Sequence, residues 1–265
     1  MSMSMPVRVE DPAVSMPAPV FLTAAWRSLV MLNFDVEPRL VAPHVPRGTV
    51  LDLWQNRSLV SLVGFRFVDT RLWGCRLPGY GDFDEVNLRL YVKREMPDGW
   101  RRGVVFVKEV VPKYAVTIVA RWIYNENYVT LPVTHDVRLP TAQKPGHQEE
   151  SGLGGFGRYR WGCRGSELEM TVHLNGFAQP LVPQSEAEFI TEHYWGYTRQ
   201  RDGSTLEYSV EHPPWNVWPA VTAELRGNAT ALYGRDFGAA LARPPCSAFL
   251  ADGSEVTVRR GVRIG

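Results

Sequence analysis

Lysine is scarce in this chain: its 265 residues hold 4 lysines against 25 arginines, so each lysine stands out as a candidate for chemistry. Cysteine is scarcer still. Cys75, Cys163 and Cys246 are widely spaced, with no CxxC pair and no Cys/His cluster at zinc spacing. That excludes a disulfide framework and a structural zinc site, and it predicts three free thiols in a reducing, cytoplasmic setting. Net charge is nearly absent: 29 basic residues against 28 acidic ones leave +1, so no global field draws the protein to nucleic acid or to an anionic membrane. No window reaches the ~18 uncharged apolar residues of a membrane span; Val104 to Ala120 comes nearest, interrupted by Lys108, Glu109 and Lys113. The first residues, MSMSMPVRVEDPAVSMPAP, lack the apolar core of a signal peptide. GxSxG, HExxH and Walker A motifs are all missing, and Gly152-Leu153-Gly154-Gly155 follows no strand and opens no helix. Neither a metal nor a cofactor is therefore expected.

Turn formers and aromatics are plentiful. Gly 23 and Pro 20 make up about 16% of the chain, which favours many connections over long helices, and nine Trp, ten Tyr and eleven Phe supply a core. Residues 1–18 read as a flexible tail, and residues 19–265 as one domain with a flexible loop at 140–157. Strands are expected over Phe21 to Phe34, Leu59 to Val68, Val86 to Arg94, Val104 to Val111 and Tyr128 to Arg138, with a hairpin around Arg164-Gly165. Short helices are expected from Glu37-Pro38 to about His44, over 112–124, from a Ser185/Glu188 capping box to about Glu192, and near 229–242 after Asn228. The helix at 112–124 places Ala115, Ile118, Val119, Trp122 and Ile123 on one side. No βαβ alternation occurs. The fold class is α+β and mainly β: a single-domain antiparallel sheet, strongly curved or closed, with a few short helices.

The stretch EHYWGYTRQRDGSTLEYSVEH is the most readable. Asp202-Gly203 between alternating strands predicts a two-residue hairpin, with strands 193–200 and 205–212 and Gln200 facing Thr205. That register sets Tyr197 opposite Tyr208, Trp195 opposite Val210 and His193 opposite His212, all on one face. Asp252-Gly253 predicts a last hairpin between Phe249 and Val258.

Three segments carry a family resemblance: VMLNFDVEPRLVAPHVPRGTVLDLWQNRSLVSLVGFRFVDT, EVNLRLYV and EFITEHYWGYTRQRDGSTLEYSVEHP. They resemble the YqjF-like family of uncharacterised bacterial proteins, over about Phe21 to Val258. That family is similar to acetoacetate decarboxylase, which implies a cone-shaped antiparallel β-barrel with an internal pocket. In acetoacetate decarboxylase a Pro-Lys-Lys segment after a glutamate supplies a Schiff-base lysine. Here Pro112-Lys113 follows Glu109 at the corresponding place, with Tyr114 at the position of the second lysine, so the resemblance implies Lys113 and Glu109 as catalytic candidates.

The residues themselves nominate a ligand site. A Schiff-base lysine must be neutral near pH 7, which needs burial or a neighbouring cation; yet Lys113 shares a helical face with Thr117 and Arg121, the pattern of a solvent-facing lysine. Arg89 and Glu109 interrupt apolar strands, where a charge needs a partner or a polar cavity. Asn87, Arg89 and Tyr91 share one face; that face is either the barrel interior, where Arg89 suits a carboxylate ligand, or a half-exposed outer surface. His193 and His212, beside Trp195 and Tyr197, form either an aromatic-walled acid–base spot or the margin of an ordinary core. Together they predict a protein binding a small carboxylate or keto-acid-like ligand, with a homo-oligomer left open. The alternative is a lyase or decarboxylase acting on keto acids through Lys113.

Overall fold

The computed structural model describes residues 17–76, 78–113, 125, 127–140 and 154–265. Its first half consists of β1 (Val20–Val36), α1 (Pro38–Val41) with a 3-10 turn at Ala42–His44, β2 (Val50–Leu51), β3 (Ser58–Leu72), β4 (Cys75–Arg76), β5 (Phe83–Met96), β6 (Gly99–Val111), β7 (Tyr128–Thr130) and β8 (Val133–Arg138). The second half consists of β9 (Gly154–Trp161), β10 (Leu168–Asn175), β11 (Gln179–Pro180), α2 (Glu186–Thr191), β12 (Trp195–Arg199), β13 (Thr205–Glu211), β14 (Asn216–Arg226), α3 (Thr230–Leu241), β15 (Ser247–Ala251), β16 (Glu255–Arg259) and β17 (Val262–Ile264). The helix expected over 112–124 has its apolar face outside the described residues. So do residues 1–16 of the tail and 141–153 of the loop; Gly154–Gly157, assigned to that loop from the sequence, instead begin β9 and pair with β10.

The helix caps follow the sequence closely. Ser185 Oγ accepts from Glu188 N at 3.1 Å to start α2, while Glu188 Oε2 accepts from Gln184 N at 2.6 Å. Asn228 Oδ1 accepts from Thr230 N at 2.9 Å at the head of α3.

The sheet is large and mixed. A ring of seven strands runs β1–β3–β5–β6–β12–β13–β16 and back to β1. Two pairings correct the expectation of a purely antiparallel sheet: β6 runs parallel to both β12 and β7. The β6–β12 contact spans only Trp195↔Gly103 and Gly196↔Val104. Gly103 permits it, since a Cβ there would lie 2.5 Å from Trp195 O.

Strands β1, β3 and β5 are buried on both faces. Val30, Leu32, Val60, Leu62, Val86, Leu88 and Leu90 point to one core, shared with Tyr159, Trp161 and Met170 of β9 and β10 and with Tyr233 and Phe237 of α3. Met31, Leu59, Val63, Phe65 and Tyr91 point to the other, shared with Phe189 and Ile190 of α2 and with Trp215. The layers touch closely at Gly64, where a Cβ would lie 2.1 Å from Met170 Cε. We call the Met31 side the inner face.

Two turns differ from expectation. Gln200 N donates to Ser204 O at 2.8 Å, so the hairpin loop holds three residues, Arg201 to Gly203. Only Gly203, with φ of 85°, is left-handed, whereas a two-residue type I′ turn needs both central residues there. Asp202 instead accepts from Ser204 N at 3.1 Å, as in a type I turn closed by a glycine bulge. The register therefore slips by one: Tyr197 faces Glu207 and Gly196 faces Tyr208. Tyr197 and Tyr208 fall on opposite faces, and the Tyr208 ring covers Gly196, as aromatics often cover a strand glycine. The second correction is at Asp252-Gly253, which joins no hairpin. β15 pairs with Leu29–Asn33 and β16 with Val20–Ala25, so both follow β1 in succession around its irregularity at Ser28 (φ 56°).

Like charges sit opposite each other on the β5–β6 hairpin: Lys93↔Arg102 and Arg94↔Arg101. One buried carboxylate serves each pair, and Glu207 takes the second, at 2.9 Å from Arg94 Nη1 and 2.7 Å from Arg101 Nη1. This ties β13 to the hairpin beside the two-residue β6–β12 contact. Glu207→Gln should cost about 3 kcal/mol, the low end for breaking a buried pair because both arginines keep some solvent. Adding Arg94→Met should restore part of it. Chemical denaturation of the two variants measures this; a loss below about 1 kcal/mol would remove Glu207 from the closure.

Candidate functional site

Because one face of β5 packs into the Tyr159 core, its alternate residues must all enter the inner face. These are Glu85, Asn87, Arg89, Tyr91 and Lys93, and the first four are buried. Cross-strand register adds Ser61 opposite Arg89 and Val63 opposite Asn87 from β3, and Asn33 opposite Ser61 from β1. A register shift in β6 lets both Phe106 and Glu109 face inward, opposite Arg89 and Asn87. Glu109 is 1% exposed. The inner face is thus a polar strip framed by apolar residues.

Hydrogen bonds organise most of the strip. Ser61 Oγ donates to Asn33 Oδ1 at 2.6 Å and lies 2.5 Å from Tyr91 Oη; Asn33 Nδ2 donates to Ser247 Oγ at 2.9 Å. Lower on β5, Asn87 Nδ2 and Tyr128 Oη donate to the two oxygens of Glu85, at 3.1 and 3.2 Å.

Arg89 is only partly satisfied. It is 9% exposed, and its Nη2 donates to Ile190 O at 3.2 Å, one of the carbonyls that the end of α2 leaves free. Its Nε has no hydrogen-bond partner, and it forms no ion pair among the described residues. Its guanidinium carbon stands 5.6 Å from the Tyr91 ring centroid, with Met31 Sδ 3.8 Å from Nη2. A buried cation without a directly paired carboxylate is costly.

His193 approaches the same tyrosine from just beyond α2. Its ring centroid is 4.7 Å from that of Tyr91 and 5.2 Å from that of Phe189. Its Nε2 lies 3.3 Å from Asp52 Oδ2, which also accepts from Arg102 Nε at 2.7 Å, while Lys93 Nζ is 3.3 Å from Asp52 Oδ1. Burial would raise the Asp52 carboxyl, but hydrogen bonds from His193 and Arg102 outweigh it and bring it down to about 2. For His193, burial dominates the Asp52 contact and lowers the imidazole to about 4.

The other sequence candidates lie elsewhere. Lys113, just past β6, is half-buried with Nζ 5.7 Å from the Tyr80 ring centroid. Tyr197 belongs to the Tyr159 core and donates to Arg101 O at 3.3 Å; Trp195 packs on that core beneath the Arg101 guanidinium. His212 stacks on Trp215 at 4.2 Å, also meets Tyr194, and holds Pro213 O with Nδ1. The expected His193–His212 cross-strand pair is thus corrected: the slipped register ends at Trp195↔Ser209, and the two rings have different neighbours. Sequence reasoning missed Asp52 and Arg102. Asp52 sits outside the strands with no motif around it, and Arg102 reads as one of many surface arginines until Lys93 is seen opposite.

His193 makes the protein acid-sensitive. The unfolded chain takes up a proton near 6.5 and the folded one only near 4, so stability is complete above 6.5 and falls as pH drops through this window. The expected loss is on the order of 3 kcal/mol. His193→Gln should flatten the fall in denaturation curves between these pH values, and a His193 imidazole titrating in NMR near 6.5 would contradict the assignment.

Comparison with known proteins places this geometry. The enduracididine biosynthesis enzyme MppR, in its complex with pyruvate, superposes with a TM-score of 0.65 at 16% identity, covering 99% of each chain. Acetoacetate decarboxylase from Legionella pneumophila gives 0.63 at 15% identity, covering 100% of this chain and 98% of that one. An acetoacetate decarboxylase-like enzyme from Sphingomonas wittichii gives 0.60 at 10% identity, covering 98% and 99%. The fold is therefore acetoacetate decarboxylase-like. No curated protein matches the chain in sequence. One family model does, over residues 23–255, and it spans nearly all the strands that build the inner face: the chain belongs to the DUF2071 family, described as uncharacterized conserved protein (COG2071).

Proposed function

We propose that this protein binds a small organic carboxylate on its inner face, with Arg89 as the group that holds the anion. One observation carries the reading: a buried guanidinium with an unpartnered Nε and no ion pair among the described residues. Its planar fork matches a carboxylate, and a bound anion would supply both the missing hydrogen bond and the missing counter-charge. In this reading the seven-strand ring forms the wall of a cone-shaped barrel, and Tyr91, Met31 and Phe106 pack around the ligand's apolar part. The pyruvate complex of the fold neighbour MppR supports the class of ligand.

The reading separates binding from stability. Arg89→Met keeps the length of the side chain and removes the charge. It should weaken pyruvate binding at least tenfold in isothermal titration, the loss of about 1.4 kcal/mol or more expected for a charged hydrogen bond. It should leave thermal stability unchanged or raise it by about 1–4 kcal/mol, as when buried charges give way to packed apolar groups. Undiminished binding by a folded Arg89→Met protein would refute the role.

Binding through Arg89 needs no covalent step, so borohydride treatment in the presence of pyruvate should leave Lys113 without added mass. A reduced adduct on Lys113 in the intact-protein and peptide mass spectra would establish lyase-type chemistry in place of simple binding.

A further inference from the structure

We infer that the ligand is a 2-hydroxy acid, selected over the corresponding 2-keto and 2-amino acids by His193. The inference rests on the carboxylate reading of Arg89 and adds the group next to the carboxylate.

The argument starts at Asp52. This carboxylate receives Arg102 Nε at 2.7 Å and Lys93 Nζ at 3.3 Å, two full cations, and it is 6% exposed. An ionised carboxylate only accepts hydrogen bonds, so the imidazole nitrogen facing it must carry the proton. That nitrogen is Nε2 of His193, at 3.3 Å. In the neutral ring Nδ1 is then a bare acceptor. The His193 side chain is 1% exposed, and Nδ1 has no protein partner among the described residues. Three groups from β5, β6 and the segment after β2 thus fix one tautomer and leave its lone pair unmet inside the protein.

Beside it stands the opposite deficiency. Arg89 Nε is a buried donor without an acceptor. Both groups rest on the same Tyr91 ring, Arg89 at 5.6 Å and His193 at 4.7 Å between centres. A buried donor on a cation and a buried acceptor on a neutral ring are complementary to one small molecule carrying an anion and a neutral hydrogen-bond donor. In a 2-hydroxy acid the carboxylate meets Arg89 and the hydroxyl donates to Nδ1.

The alternatives fail at one of these groups. A 2-keto acid offers Nδ1 only another lone pair, and sites built to hydrogen-bond a hydroxyl reject analogues lacking it. A 2-amino acid would set its ammonium against His193 Nδ1, where the charges acting on the ring are the Arg89 and Arg102 cations and an Asp52 carboxylate already shared by Arg102 and Lys93. Burial is the first cause that keeps His193 itself uncharged, and the Arg102 and Arg89 charges add to it against the opposing pull of Asp52.

Lactate, pyruvate and alanine test this as a matched set at pH 7, by isothermal titration with the wild-type protein. Lactate should bind at least about tenfold more tightly than either of the others. His193→Phe should lower lactate affinity to that of pyruvate and leave pyruvate unchanged. His193→Gln, whose amide donates to Asp52 and presents its oxygen in place of Nδ1, should retain the preference. A direct readout needs no variant: lactate should shift the His193 Nδ1 nitrogen resonance and pyruvate should not. Pyruvate or alanine binding as tightly as lactate would overturn the inference, and so would a lactate preference that survives in folded His193→Phe. If lactate and pyruvate bind equally and Arg89→Met abolishes both, the carboxylate reading stands while the hydroxyl assignment falls. If none of the three binds, both fall.

Discussion

The architecture depends on one constraint: β1, β3 and β5 are covered on both faces. A strand in a one-sided sheet can send its polar residues to water. In their middle stretches water is unavailable on either side, so each polar residue there has to be satisfied by another or by a ligand. In their middle stretches the Tyr159 side takes apolar residues, among them Val30, Leu62 and Leu88, while Arg66 and Asp84 reach that side further along and act on Tyr159. All the polar residues of their buried middle stretches, Asn33, Ser61, Glu85, Asn87 and Arg89, go to the inner face. That sorting by alternation creates the site.

Within the site, charge is handled in two different ways. Lys93 and Arg102, forced together by the β5–β6 register, are neutralised by Asp52, and the same carboxylate orients His193. A structural need, quenching two opposed cations, thereby fixes a histidine tautomer. Arg89 has no such partner. The nearest stabilisation the fold provides is the Ile190 carbonyl at the end of α2, and partial charges at a helix end do not replace a counter-ion. Stability alone would favour a methionine or leucine there. An arginine in such a place is a candidate for a functional role, since the fold itself gains little from its charge.

The capping box of α2, the Asn228 contact at the head of α3, the β9–β10 hairpin and the main strands were legible in the sequence because each is set by a few neighbouring residues. Ser185 with Glu188 and Asn228 with Thr230 act within a single turn. The hairpin at Asp202-Gly203 was legible as a hairpin but not in its register. Asp-Gly suits both a two-residue and a three-residue loop. The choice between them was made by the Tyr208 ring over Gly196 and the pull of Glu207 on Arg94 and Arg101, contacts on separate strands. A single-residue change in loop length then moved Tyr197 and Tyr208 to opposite faces and separated the two histidines.

By itself the sequence determined a mainly β chain, its turns and helix caps, and Arg89 as a charge misplaced in an apolar strand. These follow from local rules: alternation with period two, capping geometry and the cost of burying an ion. Only the tertiary structure decided what covers each face of β5, since alternation is symmetric until other layers pack on it. It also decided that Asp52, far away in the chain, holds His193. The partners of a buried charge are set by the closure of the sheet, and closure brings together residues between which no sequence pattern runs.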